Sequence, residues 1–162
     1  MGAAAPGSGG AAGAALISAA GAAEADALRE LFREYFAWLG PKGWFTDVEA
    51  EIAGLPGGYA TILLARDGDE IVGCAALRPL EEGICEMKRL YVRPAARGSG
   101  AGRALVEASV ARARELGFRA MRLDTLPTMD AARALYLSLG FRGIERYNEN
   151  PVAGVLFFEL EL

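Results

Sequence analysis

Between Leu90 and Leu105 the chain reads Leu-Tyr-Val-Arg-Pro-Ala-Ala-Arg-Gly-Ser-Gly-Ala-Gly-Arg-Ala-Leu. An apolar run ends at Pro94, and three alternating glycines, Gly98, Gly100 and Gly102, lead into a helical pattern. This predicts a buried strand, a tight loop and a helix start. Glycine tolerates backbone conformations closed to other residues and lets main chain approach a ligand closely. A helix start offers unpaired N–H groups and a positive dipole end, so the segment is suited to a pyrophosphate. Two other phosphate motifs do not fit. The Gly98-x-Gly100-x-Gly102 spacing differs from the dinucleotide fingerprint, and no Gly-Lys-Ser/Thr follows as a Walker loop requires.

The pattern on either side fixes the fold class. Residues 1–13 are Ala, Gly, Ser and Pro after Met1 and predict a disordered tail; the domain is expected over 14–162. A strand is expected at Ala15–Ser18. Leu28, Leu31, Phe32, Tyr35, Phe36 and Leu39 recur at helical spacing, and Gly40-Pro41 closes that helix. A short helix is expected from Val48 to Leu55. Strands Ala60–Ala65 and Ile71–Leu77 flank the hairpin signal Asp67-Gly68. The turn Glu81-Glu82-Gly83 leads to a strand over Ile84–Val92.

A helix is expected from about Gly102 to Leu116, with Ala101, Leu105, Ala108 and Leu116 on its inner face. A strand at Ala120–Leu126, a helix capped by Pro127–Asp130, and strands Phe141–Arg146 and Val155–Leu162 complete the chain. The order β-α-α-β-β-β-α-β-α-β-β is that of a single α/β domain. Its mixed, mostly antiparallel sheet is flanked by helices, because three strands are joined by hairpins before the crossover helix.

Composition narrows the partners. The net charge of −4 argues against nucleic acid. No apolar run reaches membrane-spanning length, and neither a signal peptide nor a myristoylation signal begins the chain, so a cytoplasmic protein is expected. With no histidine and two cysteines, no Cys/His zinc pattern can form, and no calcium loop occurs; no metal is expected. Cys74 and Cys85 sit in apolar strands as buried thiols, with a disulfide left open. Any general base must be a carboxylate, a tyrosine or water.

Three segments together resemble the GNAT superfamily of acyl-CoA-dependent N-acyltransferases, over residues from about 14 to 162. They are the strand-loop-helix with Arg97-x-x-Gly100-x-Gly102, the strand Arg122-Leu123-Asp124-Thr125, and Ala134-Leu135-Tyr136-Leu137-Ser138-Leu139-Gly140-Phe141. The resemblance implies acetyl-CoA as co-substrate. It implies that backbone N–H groups of Arg97, Gly98, Ser99, Gly100, Ala101, Gly102 and Arg103 hold the pyrophosphate. It further implies that Leu90, Tyr91 and Val92 splay from their neighbour to pair with the pantetheine arm, and that Tyr136 lies near the CoA sulfur. The family's frequent Asn seven residues before that tyrosine is Met129 here.

N-acetylation needs a base for the ammonium, donors for the oxyanion and an acid for the leaving thiolate. Glu86 is the candidate base. It precedes Arg97 by eleven residues, the spacing at which histone-type members of the family carry a catalytic glutamate, and its strand is apolar. A salt bridge to Lys88 or Arg89, or a solvent-facing position, is the structural reading of the same residue. Tyr136 is the candidate acid, against a plain core role on its helix. A backbone N–H near Leu90–Val92 is the candidate oxyanion donor, and Asp124 is a fallback base.

Trp44, Phe45, Tyr147 and Asn148 are candidates for the acceptor site, lined by the first two helices and the last hairpin. Trp38 is a further candidate, with the core the favoured reading, and Arg89 and Arg122 either hold an acceptor carboxylate or, the favoured reading, are surface charges. The expected function is transfer of an acetyl group to a primary amine of a small molecule or peptide. The alternatives are a non-catalytic acyl-CoA-binding or sensing module and an α/β interaction domain with an idle glycine loop. The sequence leaves a homodimer open.

Overall fold

The computed structural model describes residues 15–40 and 45–162. The elements in order are β1 (Leu16–Ala19), α1 (Ala25–Leu39), α2 (Val48–Gly54), β2 (Thr61–Asp67), β3 (Glu70–Glu81), β4 (Ile84–Val92), α3 (Ala101–Glu115), β5 (Ala120–Thr125), α4 (Asp130–Ser138), β6 (Arg142–Ile144) and β7 (Leu156–Glu161). The expected tail at 1–13 and the candidate Trp44 lie outside the described residues. Among the described residues no helix is long and apolar enough to cross a membrane.

The seven strands form one sheet in the order β1-β2-β3-β4-β5-β7-β6. Every pairing is antiparallel except β4 with β5, which α3 connects. The middle strands are buried on both faces, so their sequences read as continuous apolar runs. On one face α1 sets Leu28, Leu31 and Phe32 against Leu64, Cys74 and Ala76. On the other, Leu105, Val106 and Val110 of α3 pack on Leu63, Ala75 and Leu77, joined by Tyr136 of α4. The small residues of β3 allow this approach: a side chain at Gly73 would lie 2.7 Å from the Tyr91 carbonyl and 3.2 Å from Leu105.

Several expectations are corrected. β3 extends to Glu81, and β6 is only three residues long. The inner face of α3 is rotated from the expected one. It runs Leu105, Val106, Ser109, Val110 and Ala113, and Leu116 is 40% exposed. Ser109 enters that core because its hydroxyl donates to the Leu105 carbonyl (2.8 Å). α4 starts at Asp130, and its N-cap Met129 makes no side-chain capping bond. Both cysteines are free, Cys74 in the α1-side core and Cys85 in the α3-side core, so no disulfide joins them.

One irregularity positions everything that follows. Cys74 pairs with Tyr91 but Ala76 with Lys88, so β4 carries an extra residue, and Arg89 there adopts φ +58°. Such a bulge bends its strand and shifts the alternation of side chains. Cys85 and Met87 accordingly point to the α3 side, whereas Tyr91 points to the α1 side. The β4–β5 ladder stops at Glu86 opposite Arg122. Beyond it the two strands part.

Candidate active site

The gap between the parted strands opens into two clefts. The larger, about 520 Å³, runs along Leu90 and Val92 to the glycine loop and the start of α4. In that loop Gly98 has φ +80° and Gly100 φ +90°, left-handed conformations that glycine adopts without strain. The N–H groups of Arg97 and Ser99 turn back to the Pro94 and Ala96 carbonyls, and that of Ala101 meets the Ser99 hydroxyl. Gly98 and Gly100 have no such partner among the described residues. The first helical bond of α3 starts at Ala104, whose N–H donates to Gly100, so the N–H groups of Gly102 and Arg103 are also free. The alternating glycines thus carry alternating free donors at a helix N-terminus. A Cβ at Gly102 would lie 3.8 Å from Val92 and 4.0 Å from Leu135, so a side chain there would enter the cleft.

The Arg97 side chain does not extend over this loop. Its Nε donates to the Val92 carbonyl (3.0 Å), and its guanidinium lies 4.7 Å from the Trp38 ring centre. Trp38 is therefore not core: it is 46% exposed and lines the mouth of the cleft.

The smaller cleft, about 80 Å³, lies between α1, β4 and β5. Tyr35, Phe45, Lys88, Arg89, Asp124 and Asn150 contribute to its walls. Leu90, Met129 and Tyr136 line both clefts and form the boundary where they meet. Tyr136 is buried, with its ring against Phe141 and Phe158, and no side chain among the described residues bonds its hydroxyl. Burial pushes that phenol well above the ordinary tyrosine range, so it keeps its proton.

Two carboxylates stand beside the small cleft. Glu86 is fully buried. Arg78 donates to its Oε1 through Nε (2.8 Å) and Nη2 (2.7 Å), and the Tyr147 hydroxyl donates to Oε2 (2.6 Å). Asp124 accepts from Asn148 (2.8 Å) and Asn150 (3.2 Å) on Oδ2, leaving Oδ1 opposite Lys88 at 3.5 Å. Lys88 lies between the two, 4.0 Å from Glu86. Burial alone would raise the Asp124 carboxyl, but the Lys88 charge and the two amides outweigh it and hold it below the usual range.

The bulge residue Arg89 closes the far wall. It donates to both oxygens of Glu51 on α2 (2.9 Å each), and Tyr59 donates to the same carboxylate. Its guanidinium lies 5.0–5.9 Å from the ring centres of Tyr35, Phe36 and Phe45. The ordered ion pair ties α2 to the bulge and is desolvated by aromatic rings, which strengthens it.

The candidate residues thus fall into place unevenly. Arg97, Gly98, Gly100, Gly102, Arg103, Leu90 and Val92 border the large cleft, Ser99 and Ala101 do not, and the Tyr91 side chain is buried on the opposite face. Glu86, Tyr147 and Asn148 come together behind the small cleft, and Phe45 lines it. Arg122 is held by Glu159 and Glu81, as a structural charge. Arg89 is not a surface charge. Lys88, named from the sequence as a partner of Glu86, does stand 4.0 Å from it, whereas Asn150, the cleft position of Tyr35 and the Arg78 and Glu51 partners had no local signal in the sequence. Their roles arise from contacts between distant segments.

Comparison with known proteins agrees with this geometry. Residues 25–141 match the family described as Acetyltransferase (GNAT) family. An uncharacterized N-acetyltransferase of Schizosaccharomyces pombe is 39% identical over 145 residues, covering 85% of this chain and 88% of that protein. An IAA acetyltransferase of Azospirillum brasilense is 38% identical over 104 residues, 62% of this chain and 67% of that one. Among solved structures, a GCN5-related N-acetyltransferase from Kribbella flavida superposes with a TM-score of 0.72 at 26% identity, over 92% of this chain and 98% of its own. A ribosomal-protein-alanine N-acetyltransferase from Brucella melitensis gives 0.71 at 25% identity, over 91% and 99%.

Proposed function

The chain belongs to the GNAT family of acyl-CoA-dependent N-acetyltransferases, and from that premise we propose that it moves an acetyl group from acetyl-CoA to a primary amine of a small molecule or peptide. The observation that carries this reading is the parting of β4 and β5 beyond Glu86, with two clefts that meet at Tyr136. The large cleft takes the CoA. Its pyrophosphate rests on the free N–H groups of Gly98, Gly100, Gly102 and Arg103, and its pantetheine arm lies along Leu90–Val92. The thioester then reaches the boundary between the clefts. The small cleft takes the amine. Its volume is that of two or three water molecules at about 30 Å³ each, so it admits an amino group and its nearest atoms. The rest of the acceptor lies outside, where a small molecule or a peptide end can be carried.

The chemistry is a direct attack. The amine nitrogen adds to the thioester carbonyl, and a backbone N–H of the Leu90–Val92 segment meets the oxyanion. The C–S bond breaks and Tyr136, which burial keeps protonated, gives its proton to the departing sulfur. The proton shed by the amine goes to a carboxylate. Asp124 is the one at the cleft wall, with Oδ1 facing Lys88 at 3.5 Å. Glu86 has both oxygens engaged and no exposed surface, so a proton reaches it only through Tyr147 or a water.

Two measurements test the reading. Acetyl-CoA at a hundredfold over Kd adds about 2.7 kcal/mol of stability by mass action and raises the melting temperature. Release of free thiol from acetyl-CoA then requires one of a panel of amines. Saturating acetyl-CoA that produces neither heat nor thermal shift removes the reading.

A further inference from the structure

The exposed edge of β4 is already occupied by a side chain of the protein. Within one trans peptide the carbonyl and the following N–H point in opposite directions. The Arg93 N–H donates to Val72 of β3 (2.8 Å), so the Val92 carbonyl points away from β3, into the gap. There it accepts from Arg97 Nε at 3.0 Å. The same guanidinium lies 4.7 Å from the Trp38 ring centre and 5.9 Å from that of Tyr91. A ligand amide that extends the sheet along Val92 must take the position Arg97 holds. Arg97 is also the residue next to Gly98, beside the free N–H groups of the loop. An anion seated on those groups lies within its reach and attracts a guanidinium far better than a neutral carbonyl does.

We propose that Arg97 is a specificity residue that makes the large cleft select thioesters bearing a pyrophosphate over bare pantetheine thioesters. With a pyrophosphate on the loop, Arg97 leaves Val92 and Trp38 for the phosphate oxygens, and the freed carbonyl pairs with the pantetheine amide. Without one, the pantetheine amide must displace Arg97 with nothing in return. One side chain thus couples recognition of the two ends of the same ligand. The proposal rests on the reading of the large cleft as the acyl-CoA site.

The test is the Arg97→Ala variant, titrated calorimetrically with acetyl-CoA and, separately, with S-acetylpantetheine. Arg97 is exposed, so the fold should hold, which far-ultraviolet circular dichroism checks. Loss of a charge-assisted contact weakens acetyl-CoA about tenfold, while removal of the competing bond strengthens S-acetylpantetheine about fivefold. The opposite signs are the signature. A second readout uses Trp44→Phe, which leaves Trp38 as the sole tryptophan. Acetyl-CoA changes its emission as the guanidinium departs, and the change disappears once Arg97→Ala is added. If wild type binds acetyl-CoA but Arg97→Ala weakens both ligands alike, or leaves both unaltered, the proposal is overturned. An unaltered Trp38 emission at full acetyl-CoA occupancy also overturns it. If wild type does not bind acetyl-CoA, the reading of the cleft fails first and the proposal with it.

Discussion

The large cleft takes its walls from backbone and from small or apolar side chains: free N–H groups at glycines, the edge of β4, and Leu90, Val92 and Leu135. The small cleft carries charged groups in its wall, Arg89 held by Glu51 and Lys88 by Asp124, with Glu86 held by Arg78 and Tyr147 behind it. On the reading proposed above, the first arrangement meets an invariant ligand with main-chain donors, to which the Arg97 side chain is added. The second sets charge and hydrogen bonding at fixed points, where a change of one side chain alters which acceptor fits. A site of main-chain donors depends on few side chains, its glycines and Arg97 foremost, whereas a paired-charge site fails when either partner is removed.

Tyr136 belongs to both clefts, and its substitution should have the largest effect. Tyr136→Phe keeps the ring packing on Phe141 and Phe158 and removes the proton donor. A loss of about 100-fold or more in kcat is expected, with the Kd for acetyl-CoA within about twofold. Calorimetry and single-turnover kinetics separate the two; an unaltered chemical step returns Tyr136 to the core.

Next come the carboxylates. Asp124→Asn should lower kcat/KM for an identified amine by about 100-fold near pH 7, and by much less near pH 10, where about half of a simple amine is already neutral. Glu86→Gln acts through Tyr147 and Lys88 and should cost about tenfold or less. Overlay of the Asp124→Asn and wild-type pH profiles would remove Asp124 as base, and a larger effect at Glu86 would exchange the two roles.

Gly100→Val probes the other side of the comparison. A side chain there would meet nothing within 4 Å, so the change acts through the left-handed backbone at φ +90° alone. Strain of about 1–3 kcal/mol distorts the loop and raises the Kd for acetyl-CoA at least about tenfold. The cleft around Asp124 is untouched, so the KM for the amine at saturating acetyl-CoA should hold.

The smallest expected effect is on acid stability. Asp124 and Glu51 are both held below their ordinary values in the fold. Burial works against this, but Lys88 with the amides (Asp124) and Arg89 with Tyr59 (Glu51) prevail. A carboxylate depressed in the folded state contributes stability above its unfolded value, and that contribution is lost as pH falls through the folded one. The melting temperature should stay level from about pH 8 to about pH 5 and fall below about pH 4, less steeply in Asp124→Asn. An identical acid fall in the variant would show that the Asp124 pair contributes nothing.

The same contrast explains what could be read from the sequence. The strand, glycines and helix start of the large cleft are contiguous, and their residue types are dictated by backbone geometry, so they announce themselves. The fold followed from periodicity for α1 and the hairpins. It misled for α3, where alternating Ala and Arg give little contrast and a polar Ser109 sits in the core. Trp38 sits at the margin of the α1 stripe, and only the position of Arg97 in space draws it to the cleft mouth. The bulge at Arg89 gave no signal either. Regular alternation would keep Met87, Arg89 and Tyr91 on one face, yet Tyr91 lies opposite Met87. The small cleft draws on residues as far apart as Tyr35 and Asn150, and an ion pair between distant segments leaves no local pattern.

The placement of the two cysteines has a chemical corollary for a protein that handles thioesters. Transthioesterification needs a thiolate that can reach the acyl carbon. Cys74 and Cys85 are fully buried, and loss of solvent raises them to about 12 and about 11. Neither offers a nucleophile to the acetyl group or to the free CoA that each turnover releases. The described residues therefore hold no cysteine poised for self-acetylation or for a mixed disulfide with CoA.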